Sequence, residues 1–391
     1  MQFGRPMHAE WSLDPAVTYL NHGTVGATPR RVLAEQSRLR EEMERQPSRF
    51  MLREVAPMAA GRCASPSRMR AAAAQIAAFV GSRAEDLVFV DNATAGANAV
   101  LGSLELREGD EVLLSDHLYG AVALAARHAA RRARAQITTF SLPYPRFHAD
   151  AAVANLIGAI TPRTRLAVLD HVTSESALVL PLAAMAQACR QRGVTVLADG
   201  AHAPGAIPLD VPSLGVDWYT ANLHKWAWAP RSSGFLWASR ERQEGLHPPV
   251  ISWGLDQGYT REFDWVGTRD PTPWLAAPAG VQFLHELGLA RVQRWNHELA
   301  WHAGQWLCDR WRTELGTNEA ATGSMITVPL PRRLGGSPEE AARLRDALLF
   351  EDGIEVQLHA WGGTLWLRLS AQVYVEMADV ERLEAAVRRR G

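Results

Sequence analysis

Cysteine is scarce in this 391-residue chain, with three in all: Cys63, Cys189 and Cys308. They are far apart and form no Cys-x-x-Cys pair, so neither a disulfide framework nor a zinc site is expected, and no metal is assigned. No run of about 18 apolar residues occurs, which excludes a long apolar membrane-spanning helix. The opening Met1-Gln-Phe-Gly-Arg-Pro lacks the apolar core of a signal peptide, so a cytoplasmic protein is expected. Neither sign of charge dominates: the formal net charge is -1, which gives no footing for nucleic acid or for a membrane surface. The one basic run, from Arg127 to Arg134, is interleaved with alanine and reads as the solvated face of a helix. Neither a Gly-x-Gly-x-x-Gly nor a Gly-Lys-Ser/Thr loop follows the first strong strand, so a nucleotide site is not indicated. Internal repeats and low-complexity segments are absent.

What is present is the makings of an ordinary globular chain, 47% hydrophobic and 21% charged, with material for two domains. Tryptophan is abundant at 14 residues, many between Trp218 and Trp274. They either wall a deep pocket or fill the core. From about residue 86 to 240, short apolar runs alternate with helical patterns. That alternation predicts an α/β fold with a mostly parallel sheet and helices on both faces. A smaller α+β part follows, with strands near 326–330, 355–358 and 365–370 and helices near 341–350 and 380–389. A long helix is expected to begin at Trp274 and run on through Leu307. The boundaries read as an N-terminal segment (1–20), a large domain (21–275) and a small domain (276–391). Residues 59–66 read as a break in the chain that could reshape the mouth of a pocket.

The polar groups that follow the apolar runs are the candidates for chemistry. In an open α/β sheet the carboxyl ends of the strands line one crevice. Thr94, His117, Ser174, Asp199 and His202 all stand after such runs, so they should converge. Asp91-Asn92-Ala93-Thr94-Ala95-Gly96 is a small-residue turn into a helix, which leaves backbone N–H groups aimed at an anion. Val194-Thr-Val-Leu-Ala-Asp199 ends in an acid, and Asn222-Leu-His224-Lys225-Trp226 presents a lysine on the next turn. A strand-end acid and such a lysine suit pyridoxal phosphate: the lysine forms an imine with the aldehyde and the acid keeps the ring nitrogen protonated. An acid pairing with a helix and a surface lysine would look the same. Asn21 and His22, in a glycine-rich turn, are candidates to face a ligand. Arg49 is a candidate for a substrate carboxylate or a solvated helix face. Arg368 is a single charge inside an apolar strand and should be paired or functional.

Taken together, these stretches resemble the fold-type I pyridoxal-phosphate enzymes of the class V aminotransferase group, and within it the isopenicillin N epimerase-like family. The resemblance rests on Leu20-Asn-His-Gly, Asp91-Asn-Ala-Thr, Asp116-His-Leu-Tyr, Asp170-His-Val-Thr-Ser, Asp199-Gly-Ala-His, Asn222-Leu-His-Lys-Trp, Gly267-Thr-Arg-Asp and Leu367-Arg-Leu-Ser, in family order. It implies that Lys225 binds the cofactor covalently and moves protons at Cα, and that Asp199 pairs with the ring nitrogen. It also implies that His202 lies near the phenolic oxygen and that His117 stacks on the ring. Ala93, Thr94, Asn222 and His224 are implied to hold the phosphate. Thr268 is implied to reach the phosphate of a neighbouring subunit, hence a homodimer with shared sites. Arg368 is implied to bind the carboxylate of an amino-acid substrate.

Three reactions fit such a site. Epimerisation needs a second proton donor, for which Tyr119 and His22 are candidates. β-Elimination from a cysteine conjugate or sulfoxide needs only Lys225, a leaving group and an acid such as Tyr119. Transamination uses the same electron sink. A cofactor-binding non-enzyme is the reading outside catalysis. Thr173-Ser-Glu-Ser-Ala177 departs from the Thr-Ser-Pro-Thr-Gly of relatives and puts an acid, Glu175, near the cofactor.

Overall fold

The computed structural model describes residues 2–59 and 61–390. Its larger sheet is built from β2 (Leu87–Val90), β3 (Glu111–Ser115), β4 (Gln136–Phe140), β5 (Thr164–Asp170), β6 (Thr195–Asp199), β7 (Trp218–Asn222) and β8 (Gly234–Ala238), preceded in the chain by the short β1 (Thr18–Tyr19). The seven strands lie in the order β2-β8-β7-β6-β5-β3-β4. Only β8 runs against its neighbours; β4, β3, β5, β6 and β7 pair in parallel.

Strands covered on both faces carry near-continuous apolar sequence, and Leu-Val-Phe-Val of β2 and Phe-Leu-Trp-Ala of β8 are fully buried. The edge strand β4, Gln-Ile-Thr-Thr-Phe, is half exposed, and its polar residues suit that place. Helices Ala93–Ser103 and Gly120–Ala133 cover one face of the sheet. Helices Arg68–Phe79, Ala149–Ala159 and Leu182–Arg190 cover the other.

A second sheet takes its strands from the C-terminal part: β9 (Met325–Pro329), β11 (Gln357–Trp361) and β12 (Thr364–Ser370), antiparallel in the order β11-β12-β9. The short β10 (Ile354–Glu355) pairs in parallel with β1. Gly4 N–H also donates to Val373 O, so the N-terminal residues pack on the C-terminal part.

The expected single helix from Trp274 is broken in two places. Helices Thr272–Leu275, Ala277–Leu287 and Leu289–Trp311 follow one another. Pro278 sits in the first turn of the second, where a missing N–H costs nothing. Gly288 ends it at a φ of 83°, a backbone setting that side chains avoid. No helix among the described residues is long and apolar enough to cross a membrane.

Candidate active site

Parallel strands bring their carboxyl ends to one edge. There β3 delivers His117 and Tyr119, β5 delivers Asp170 and the turn Thr173–Ala177, β6 delivers Asp199, and β7 delivers Asn222 and then Lys225. β12 of the small sheet lays Arg368 across the same edge. A cavity of about 360 Å³ opens between them, lined by Thr24, His117, Tyr119, Ser174, Lys225 and Arg368. Glu175, Gln357 and Trp361 complete its wall.

Lys225 is buried, and its amine stands 3.1 Å from His202 Nε2. Trp226 Nε1–H, which can only donate, reaches His202 Nδ1 at 3.4 Å. His202 therefore carries its hydrogen on Nε2 and offers it to the lysine, so the amine must present a lone pair. The electrostatics agree: burial, then the charge of Arg368, pull Lys225 down to about 7, against a smaller opposing pull from Asp199. A free amine at neutral pH is a nucleophile toward aldehydes. Uptake of pyridoxal phosphate by the apoprotein should accordingly speed up as pH rises through about 7 and level off above it. Stopped-flow absorbance across that range checks this; a rise only near the ordinary lysine range would contradict it.

Asp199 is fully buried, and its Oδ1 accepts from Ala201 N–H at 2.9 Å. Its Oδ2 meets no partner among the described residues. Asp170 lies directly opposite on β5, in register with Asp199. Burial raises both acids, and Asp170 further because Asp199 also opposes its ionisation. Ala201 N–H and Lys225 favour the anion on Asp199. Of the two, Asp199 is the better placed to carry a negative charge, and its Oδ2 is open among the described residues. A buried, half-satisfied carboxylate beside a buried amine fits a protonated ring nitrogen and an aldehyde. The residues present fit pyridoxal phosphate.

At the phosphate end, Asn222 Oδ1 accepts from Ala93 N–H at 2.9 Å, and Asn92 Oδ1 caps the helix through Ala95 N–H at 2.9 Å. Two of the amides expected to meet an anion are thereby engaged inside the chain. Thr94, between them, has an amide with no partner among the described residues. His224 Nδ1 lies 3.1 Å from Ser233 O, which only accepts, so Nε2 is left with a lone pair.

Arg368 is 3% exposed and hydrogen-bonds to no carboxylate among the described residues. Its guanidinium donates to Ser174 O at 2.6 Å, to Thr24 Oγ1 at 2.7 Å and to Asn21 Oδ1 at 3.3 Å. Nε is left unmet, and burial lowers the group to about 10. A buried cation that donates to neutral oxygens, with the Glu175 charge acting on it without a hydrogen bond among the described residues, is set for an incoming anion. Arg368→Gln should raise KM for an amino-acid substrate about 10- to 100-fold, the worth of a charge-assisted pair, with a smaller change in kcat. Steady-state kinetics checks the split.

Several expected site residues land elsewhere. His22 is 0% exposed, with Nε2 3.0 Å from the Lys225 carbonyl and Nδ1 2.8 Å from the Tyr374 hydroxyl. Both ring nitrogens are occupied, so it holds the lysine's backbone and offers no proton to a ligand. Asn21 steadies Arg368 rather than lining the cavity. Arg49 pairs with Glu54 at 2.7 Å in a separate cleft that also holds Arg62, Cys63 and Ala64. Neither Arg49 nor the described residues of 59–66 reach the cavity; residue 60 lies outside the described residues. Thr268 is exposed and is not brought to this chain's own cavity. Trp226 and Trp228 are core, Trp253 is 79% exposed, and only Trp361 lines the cavity. Thr24, Gln357 and Trp361 were not singled out from the sequence. Thr24 stood within the quoted glycine-rich turn; the other two sit on an unremarkable strand.

Comparison with known proteins agrees with the geometry. The family model for aminotransferase class-V matches residues 19–383. Isopenicillin N epimerase of Streptomyces clavuligerus is 33% identical over 393 residues, covering 96% of this chain and 95% of that protein. A probable chloroplastic L-cysteine desulfhydrase of Arabidopsis thaliana is 34% identical over 403 residues, covering 96% and 83%. Among solved structures, an apo cysteine desulfurase from Thermococcus onnurineus NA1 superposes with a TM-score of 0.81 at 18% identity, covering 100% of this chain and 98% of that one.

Proposed function

This chain belongs to the aminotransferase class-V family and is a pyridoxal-phosphate-dependent enzyme of fold type I; from that premise we propose that it removes the Cα proton of an L-amino acid and expels a thiol from Cβ. Relatives named isopenicillin N epimerase and L-cysteine desulfhydrase are equally similar, so names do not separate the two reactions. The observation that carries the choice is the fate of His22. Epimerisation requires a second proton carrier, and His22 is tied to a backbone carbonyl and to Tyr374. Lys225 remains as the base, with Tyr119 the other candidate proton carrier at the cavity.

When bound, the cofactor supplies an electron sink for the pair released at Cα. The chain's residues do the rest. Arg368 holds the substrate carboxylate against Ser174 and Thr24. The Lys225 amine takes the Cα proton. The Cβ–S bond breaks with its electron pair on sulfur, and the thiolate takes a proton from water or from Tyr119, whose ring borders the cavity. The organic product is 2-aminoacrylate, which water converts to pyruvate and ammonia. Epimerisation is the second reading, favoured by the same Tyr119 hydroxyl, which is free to donate from the cavity wall. Thr94, Asn222 and His224 hold the phosphate in this reading. Thr268 serves the site of a second copy. Val250, Ile251, Trp253 and Leu255 form an exposed apolar loop that suits such a homodimer.

The test is incubation with a panel of L-amino acids in deuterated water. Pyruvate, ammonia and a thiol in equal amounts are expected. A racemised, Cα-deuterated amino acid would replace the proposal with epimerisation, and a stoichiometric 2-oxo acid that keeps its side chain would replace it with transamination. Sedimentation of the holoenzyme should show a dimer.

A further inference from the structure

We infer that Ser176 and Thr173 form a hydroxyl relay that fixes the tautomer of His117, so that its neutral ring carries its hydrogen on Nε2. Ser176 is thus a positioning residue. The relay is buried and its distances are short. Leu178 N–H donates to Thr173 Oγ1 at 2.8 Å. Thr173 Oγ1 lies 2.8 Å from Ser176 Oγ, and Ser176 Oγ lies 2.8 Å from His117 Nδ1. Thr173 is 0% exposed and Ser176 1%, so water does not intervene. The Ser176 carbonyl is pinned as well, by Thr327 Oγ1 at 3.0 Å.

Proton counting sets the direction. Thr173 already accepts the Leu178 hydrogen, and the only acceptor near its own hydroxyl hydrogen, among the described residues, is Ser176 Oγ. Ser176 must then turn its hydrogen to His117 Nδ1. The reverse order, with His117 donating, would leave the Thr173 hydrogen buried without an acceptor among the described residues, which is unfavourable. Nδ1 is therefore the acceptor and Nε2 carries the hydrogen.

Nε2 is buried with no partner among the described residues, and it lies 4.0 Å from Asp116 Oδ1. The ring lines the cavity beside Trp361, with centroids 4.4 Å apart. Burial lowers His117, so the neutral form is the one to consider. In that form Nε2 carries a hydrogen and has no lone pair to take a Cα proton. Lys225 is left as the base, in line with the reaction proposed above; the tautomer itself does not depend on that reading.

The experiment is long-range ¹H–¹⁵N correlation of the histidine rings in the apoprotein at about pH 8, above the ordinary histidine range. A His117→Gln spectrum assigns the signal. Wild type should show a protonated Nε2 and an unprotonated Nδ1. Ser176→Ala should shift both nitrogens toward tautomer-averaged values. Ser176→Thr, which keeps the hydroxyl, should restore the wild-type pattern. In the loaded enzyme, Ser176→Ala should lower kcat about three- to tenfold, the worth of one neutral hydrogen bond, with KM little changed and the threonine variant recovering. A wild-type spectrum with the hydrogen on Nδ1 overturns the inference, as does a Ser176→Ala spectrum identical to wild type. Should the alanine variant not fold, the wild-type spectrum still decides. Absence of turnover with every amino acid would count against the proposed reaction and leave the spectral result standing.

Discussion

Lys225→Ala is expected to lower turnover by about four orders of magnitude while leaving the fold intact. In the proposed reaction its amine is the proton carrier at Cα and the attachment point of the cofactor, and both roles would end together. The side chain is buried among His202, Asp199 and Arg368, so truncation removes a desolvated amine rather than a packing element. Stability should therefore change little or rise, because a buried amine pulled well below its ordinary range opposes folding at neutral pH. The sign follows from linkage: between about 7 and the ordinary lysine value the unfolded chain binds the proton and the native one does not, so wild-type stability climbs with pH across that window. The alanine variant should lose that slope. Three measurements check this: turnover, thermal melts across pH, and borohydride reduction followed by peptide mapping. Lys225 is the only lysine in the chain, so borohydride treatment that leaves no reduced cofactor on the peptide holding it would refute the assignment.

The second large effect belongs to Asp199→Asn. The amide keeps the shape and the Ala201 contact but removes the charge. Asp170, across the strand pair, is disfavoured as an anion by burial and cannot take its place without reorganisation. In the proposed reading Asp199 keeps the ring nitrogen of the bound cofactor protonated, so losing its charge would weaken the electron sink. A fall in kcat of about 100- to 1,000-fold is expected, typical of losing one preorganised electrostatic partner, with weaker cofactor retention on dialysis. Asp170→Asn should cost far less. Equal losses in the two variants would mean that the charge is shared differently across the pair.

Much of this was legible in the chain because it depends on period and position. Short apolar runs ending in polar residues placed Asp199, His117, Ser174 and Thr94 at one sheet edge before any coordinates. Arg368 stood out as one charge in Leu-Trp-Leu-Arg-Leu, and its unpaired burial matches that signal. The misplacements come from contacts distant in sequence. His22 looked like a ligand-facing residue because glycine turns commonly serve that purpose; its partner Tyr374 lies 352 positions away. Arg49 showed only helical spacing, which cannot say which neighbour is nearest. Gln357 and Trp361 lie on a strand whose alternation reports a buried face without saying that part of that face borders a cavity. The helix break at Gly288 was read through because apolar spacing resumes on both sides of it.

The turn holding Asn21, His22 and Thr24 touches Arg368 on one side and the backbone of Lys225 on the other. The neighbouring Gly26, at φ 69°, lies so close to His224 O that a methyl group there would sit 2.0 Å from it. Arg368 and Lys225, the proposed carboxylate clamp and proton carrier, are thus riveted together by a few residues near the start of the sequence. A fusion partner, a protease cut or a deletion that loosens the first two dozen residues would misalign the two halves of the machinery without altering any group that meets the substrate, and an assay would record it as a catalytic defect.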